Sequence, residues 1–241
     1  MYYNKFMKVF PVVHIQDTEQ AREQTDIAFE SGADGVYLIS HSSGVSPAVL
    51  KAFEAVKKDH EDDYIGINLL AGRPDTSFNI ISRALAHEAI HTAPDALWVD
   101  EATHSLEDIH ALLDANILRQ SSAELKGVRF LGGVAFKYTR LYTDNPRHAA
   151  SAAHMLQDYM DVVTTSGQGT GYAPSPAKIA AIKEVIDKPL AVASGVSLQN
   201  IGDYGNNIDE VLVASSVETV PYSGIFDKSK LVEFIDTAKS L

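Results

Sequence analysis

The sequence predicts a single-domain, closed (βα)8 barrel, and three observations carry that reading. A short β-rich run, a turn and an amphipathic helical pattern recur in that order from end to end. The β-rich runs begin near Val9, Gly35, Ile65, Leu97, Phe130, Val162, Leu190 and Val211, at intervals of about 21 to 33 residues. Such alternation builds βαβ units and a parallel sheet. Finally, eight units of roughly 30 residues fill the 241-residue chain, close to the ~250 residues this barrel uses. An open, doubly wound sheet is the rival architecture, but it rarely uses eight evenly spaced units. No low-complexity tract, charge block or Gly/Ser linker interrupts the series, so residues 1–241 are expected to form one domain.

The helical segments support the count. After the second strand, Val49, Phe53 and Val56 share a helical face with Leu50 beside them. Leu106, Ile109, Leu113 and Ile117 keep that spacing in the fourth unit, Ile179, Ile182 and Ile186 in the sixth, and Leu231, Phe234 and Ile235 in the eighth. Ser46-Pro47, Asn145-Pro146 and Ser175-Pro176 each place a capping side chain before a proline at the first helical position. Ser31-Gly32 and Gly127 read as helix ends.

Lysine and arginine total 20 against 32 aspartates and glutamates, so the formal charge is 20 − 32 = −12. An acidic chain suits neither a nucleic-acid backbone nor an anionic membrane surface. A small anionic ligand remains compatible, because it responds to a local site. With no cysteine, disulfides, zinc–thiolate sites and thiol nucleophiles are excluded. No apolar run approaches the ~20 residues of a membrane span, and the first residues lack the pattern of a signal peptide. The expected location is therefore the cytoplasm, and self-association into a homo-oligomer stays open.

In a barrel of this kind, function gathers where strands end and βα loops begin. Those positions hold His14, Ser40-His41, Asn68, Asp100-Glu101, Lys137, the segment Thr164 to Gly171, Ser194-Gly195 and Ser215-Ser216. Three glycines and four hydroxyls in Thr164-Thr-Ser-Gly-Gln-Gly-Thr-Gly171 suit phosphate or polyhydroxy ligands, with Thr165, Gly167, Thr170 and Gly171 as candidate contacts. A flexible solvent loop is the alternative. Ser194-Gly195-Val-Ser leads into an expected helix at Leu198, whose N-terminus would face an anion, and Ser215 and Ser216 would complete the grip. A plain glycine turn with a serine cap fits the same residues.

Lys137 ends Phe130-Leu-Gly-Gly-Val-Ala-Phe-Lys, where period-two alternation puts Leu131, Gly133, Ala135 and Lys137 on one face. Its ammonium could bind an anion, polarise a carbonyl or form a Schiff base, or it could simply reach solvent. Asp100 shares a face with Trp98 and could form an acid–base pair with Lys137, or a structural one. His14 suits proton transfer near neutral pH, a structural histidine being the alternative. Asn68 is a candidate hydrogen-bonder to ligand. The remaining histidines show no metal spacing beyond His87-x-x-x-His91, which reads as a solvated pair on an outer helix. No metal or cofactor is expected.

These residues resemble the BtpA-like proteins, a TIM-barrel family named for a member linked to photosystem I biogenesis. The specific part is Asp161-Val-Val-Thr-Thr-Ser-Gly-Gln-Gly-Thr-Gly, followed by Pro189-Leu-Ala-Val-Ala-Ser-Gly-Val-Ser-Leu-Gln-Asn-Ile. Val134-Ala-Phe-Lys137, Ile65-Gly-Ile-Asn68 and Val13-His14 are similar to its strand-five lysine, strand-three G-x-N and first-strand histidine. The chain departs from the pattern in Ile-Gln-Asp-Thr after His14 and in Val213-Ala-Ser-Ser-Val-Glu218, where the family has G-T-S and then a lysine. The resemblance implies the barrel fold, as does a looser likeness to the wider phosphate-binding barrels. The polar residues at strand C-termini in nearly every unit point to an enzyme acting on a phosphorylated sugar or nucleoside-sugar derivative, by isomerisation, lyase chemistry or glycosyl transfer. The namesake implies a second function, a non-catalytic assembly or regulatory factor.

Overall fold

The computed structural model describes residues 6–41, 47–70 and 72–241. Eight parallel strands, β1 (Lys8–His14), β2 (Val36–Ile39), β3 (Ile65–Asn68), β4 (Ala96–Val99), β5 (Arg129–Gly133), β6 (Val162–Thr165), β7 (Leu190–Ala193) and β8 (Glu210–Val213), close into a barrel in chain order. Pairing of β1 with β8, from Lys8 opposite Glu210 to Pro11 opposite Val213, completes the ring. Each strand starts within one residue of its expected position. The architecture is a single-domain (βα)8 TIM barrel.

Helices α1 (Thr18–Glu30), α2 (Pro47–Asp59), α3 (Pro74–Ala86), α4 (His110–Ser121), α5 (Pro146–Leu156), α6 (Pro176–Val185) and α7 (Lys228–Lys239) surround the sheet. Val49, Phe53 and Val56 of α2, Ile179 and Ile182 of α6, and Leu231, Phe234 and Ile235 of α7 are buried as their spacing requires. Asn145 caps α5 by accepting from the amides of Arg147 and His148, and Ser175 caps α6 through the amide of Lys178. Ser31 ends α1, and Gly32 takes the left-handed conformation that follows. Ser46 lies outside the described residues.

Four details differ from the sequence reading. In the fourth unit Leu106 and Ile109 precede α4, while Leu113 and Ile117 of the helix are exposed; the core is reached instead by Ala111, Leu112 and Ala115. The apolar spacing there runs across the helix start, so it does not describe one face. Gly127 stands in a turn beyond the end of α4 and caps nothing. His91 lies past the end of α3 and its Nδ1 pairs with Glu54 of α2, so it shares no helix face with His87. After β7 there is no α-helix at Leu198. A turn leads instead to a 3-10 helix, Ile201–Asn207, broken at Gly205.

Alternation along the strands divides the apolar residues in two. One set lies between sheet and helices, while the other, including Phe10, Tyr37, Trp98, Leu131, Val162 and Leu212, fills the barrel interior. Tyr37 meets Phe10 and Trp98 edge-on, with ring centroids 5.6 and 6.1 Å away. Gly66 of β3 makes room for that ring, since a Cβ there would lie 2.3 Å from it.

At the N-terminal rim a fourfold device recurs that the sequence reading did not single out. The carboxylates of Asp34, Asp95, Asp161 and Asp209 accept the amides of Val9, Ile65, Phe130 and Leu190, which open or nearly open the odd strands, at 2.8–2.9 Å. Each aspartate's own amide donates back to the carbonyl of the same residue at 2.9–3.0 Å. Each carboxylate also binds a cation from an outer helix: Lys239, Lys57, Arg119 and Lys183 respectively. One side chain thus joins two adjacent strands and a helix. Removing it orphans an amide and a largely buried ammonium, so Asp95→Ala is expected to cost about 2–3 kcal/mol. At ~2–4 °C per kcal/mol for a chain of this size, a thermal melt should show a drop of several degrees.

Candidate active site

Above the interior rings, at the C-terminal ends of the strands, a cavity of about 780 Å³ opens to solvent. Its floor is apolar, with Val12, Ile39, Trp98 and Leu212. Its wall carries most of the residues that the sequence singles out: His14, Asp100, Lys137, Thr170, Gly171, Ser194, Gly195 and Ser215.

Asp100 follows Trp98 on the inward face, as alternation requires. Its Oδ1 accepts from Asn68 Nδ2 at 2.9 Å. Burial pushes the Asp100 carboxyl above the ordinary range, against the opposing pull of Asn68 and of the Lys137 charge. Burial likewise lowers the Lys137 ammonium, while Asp100 works the other way. Both groups are thus moved toward their neutral forms, which makes each a better partner for proton exchange near neutral pH.

Lys137 reaches this place by a route that differs from the predicted one. Strand β5 ends at Gly133, and Ala135 turns left-handed with φ 48°, so Ala135 packs in the outer core and shares no face with Leu131. The loop is held from behind by Lys178, a fully buried side chain whose Nζ donates to the carbonyls of Ala135 and Ser166 at 2.8 Å each. Burial brings Lys178 down to about 8. Lys178 reads in sequence as an ordinary lysine of the first turn of α6, and nothing local distinguishes it.

Four candidates stand outside the cavity lining. Asn68 is wholly buried and acts through Asp100. Thr165 points away from the interior, because Val162, and therefore Thr164, faces inward. Gly167 lies against Tyr172 and Ala173, where a Cβ would come within 2.1 Å of the Tyr172 carbonyl oxygen. Ser216 donates to the Val196 carbonyl at 2.7 Å.

The Gly-rich segment is tied down. The Ser194 hydroxyl accepts from the Gly171 amide at 3.3 Å and donates to the Gly169 carbonyl at 3.1 Å, while the Thr170 amide donates to Tyr138 Oη at 3.0 Å. Ser194 and Gly195 are both left-handed, with φ 82° and 70°. This places a strained non-glycine residue at the mouth. Among the described residues, no protein acceptor takes the amides of Gly195, Val196 or Ser215, or the Ser215 hydroxyl. These donors border the cavity without a helix dipole behind them.

The cavity also holds His41, a strand-end residue to which the sequence assigned no role, and two tyrosines that it did not point to. His41 packs against His14 with ring centroids 5.0 Å apart, and burial, then the neighbouring His14 and Lys137 charges, lower it. Tyr138 and Tyr222, both exposed and left-handed, stand at the rim. Positive φ at two tyrosines has no signature in sequence.

Comparisons with known proteins confirm the architecture alone. No family model and no curated sequence matches the chain. Among solved structures, thiamine phosphate pyrophosphorylase from Pyrococcus furiosus superposes with a TM-score of 0.60 at 12% identity over 98% of both chains. Geranylgeranylglyceryl phosphate synthase from Thermoplasma acidophilum, in complex with sn-glycerol-1-phosphate, gives 0.66 at 14% identity, covering 98% of this chain and 94% of that one. N-(5'-phosphoribosyl)anthranilate isomerase from Pyrococcus furiosus gives 0.60 at 20% identity, covering 98% and 100%.

The raised carboxyl of Asp100 has a consequence for stability. In the folded chain it holds its proton to a higher pH than in the unfolded chain, so its burial costs stability above the ordinary carboxylate range. That cost fades as pH falls through the raised value. Asp100→Asn is therefore expected to raise Tm at pH 7, with the gain shrinking toward pH 4; a gain that grows in acid would contradict the assignment.

Proposed function

We propose that this chain is an enzyme acting on a phosphorylated small molecule, with a sugar or nucleoside-sugar body, at the C-terminal mouth of the barrel. Unpaired amides and a hydroxyl at Gly195, Val196 and Ser215 border the same cavity as an acid–base pair whose charges burial has weakened, and this carries the reading. Gly195 and Ser215 hold the phosphate. Thr170 and Gly171 contact its oxygens or those of the sugar, and Ser194 keeps the Gly-rich segment over them. Lys137 polarises a carbonyl or leaving oxygen, and Asp100 or His14 moves the proton, which suits isomerisation or lyase chemistry.

Two further facts support it. The solved structures reported above include proteins named for phosphorylated compounds. The strand-six and strand-seven segments resemble the BtpA-like proteins.

Thermal shift tests the reading, with inorganic phosphate, ribose 5-phosphate, phosphoribosyl pyrophosphate and common sugar phosphates as ligands. At ~100-fold over Kd a specific ligand adds about 2.7 kcal/mol, a plain rise in Tm. Ser215→Asp, which puts a carboxylate where the anion sits, should abolish the rise. A chain that none of these compounds stabilises is not this enzyme, and retention of a protein partner in pull-downs would then favour the assembly-factor reading.

A further inference from the structure

Glu218, five residues beyond β8, is wholly buried, yet neither carboxylate oxygen has a hydrogen-bond partner. A buried carboxylate in that state costs stability. Its nearest basic group is His14, whose Nδ1 lies 3.5 Å from Oε1. Lys230 approaches the same residue, but its Nζ donates to the Glu218 backbone carbonyl and leaves the carboxylate alone. Glu218 is not in the cavity lining, whereas His14 is.

The backbones on both sides of this gap are fixed. Glu218 bridges to Phe226, with Thr219 donating to Ile225 at 2.8 Å and Asp227 to Val217 at 2.9 Å. Two buried glutamines of α1 join that segment to β1: Gln24 accepts from the Phe226 amide at 2.7 Å, and Gln20 donates to the carbonyls of both Gly224 and His14, at 2.7 and 3.2 Å. The segment after β8 is thus fastened so that an otherwise unsatisfied carboxylate faces one imidazole nitrogen. The 3.5 Å separation matches catalytic hydrogen bonds that are long without ligand and tighten when one binds.

We propose that Glu218 is a positioning residue for His14: its carboxylate takes the Nδ1 hydrogen, so that Nε2 is presented to the cavity as proton acceptor and donor. This inference rests on the reading of the cavity as an active site. Strand β1 stands across the ring from β5, so His14 works from the wall opposite Lys137. Nε2 takes a proton from the bound ligand, and the resulting imidazolium lies against the Glu218 carboxylate. The same proton then returns to a different atom of the ligand, or to its leaving oxygen, and no electrons are exchanged. With Asp100 and Lys137 on the far wall, the site holds two proton-handling pairs, one for each side of a bound carbonyl compound.

The test needs no substrate. In protein labelled with 15N-histidine, long-range 1H–15N spectra, with His14 assigned through His14→Gln, should show an Nδ1-protonated ring with a downfield Nδ1–H. In Glu218→Met that signal should vanish while Tm is held or raised, because an apolar side chain of similar length removes an unsatisfied charge. Should the methionine variant fail to fold, Glu218→Gln, nearly equal in volume, should move the Nδ1–H signal upfield. An unchanged His14 ring in either variant overturns the proposal. Titration of inorganic phosphate into the wild-type protein decides the phosphate reading separately, since the His14 measurement is made without ligand. With a substrate in hand, Glu218→Met should lower kcat by roughly 10²–10⁴-fold, the usual size of a general acid–base contribution, with KM little changed.

Discussion

At the lower rim of the barrel, an amide at the start of every odd strand is taken by the aspartate that precedes the next strand, and a lysine or arginine from an outer helix completes each cluster. The eight-stranded sheet closes only if each strand keeps its stagger against its neighbours. These four clusters fix that stagger at the end opposite the cavity, and they fasten helix to sheet with the same carboxylate. Charged hydrogen bonds of this kind are stronger than neutral ones, and they do not occupy the interior. The device leaves the opposite rim free to be irregular.

That freedom is used. Below the mouth the interior is filled by aromatic and aliphatic side chains, from Phe10 to Leu212, so the cavity has an apolar floor. A carboxyl and an ammonium set on such a floor lose solvation, which moves Asp100 up and Lys137 down. The left-handed residues at Ala135, Tyr138, Ser194 and Tyr222 cluster at this rim. Strain gathers where side chains must be aimed, and Lys178, Gln20 and Gln24 supply the buried hydrogen bonds that hold it in place.

Much of the site could be read from residues at strand ends, because alternation along a strand is a local rule. It placed Asp100 beside Trp98 and His14 at the mouth correctly. It failed where the chain left the strand: Lys137 follows a left-handed Ala135, so a periodic reading across Gly133 had no physical basis. The same limit explains Thr165, which lies one register away from the inward Thr164. Glu218 shows a subtler failure. In sequence it is a departure beside a presumed anion site, but its side chain lies buried behind His14, a contact between residues 204 positions apart in the chain.

The sequence alone determined the barrel, since eight evenly spaced apolar strands with amphipathic helices can bury both faces of a parallel sheet in few other ways. It also marked the end at which the cavity opens, because polar residues stand at strand C-termini and apolar ones along the strands. Only the tertiary structure decided which of those polar groups share a cavity and which, like Asn68, Thr165 and Ser216, lie outside its lining. It alone revealed that the seventh unit has no α-helix, that Ser194 is committed to the Gly-rich segment, and that a buried lysine stands behind the loop carrying Lys137 and a buried glutamate behind His14. Burial and partnership arise from residues brought together by closure of the ring, and no local pattern encodes them.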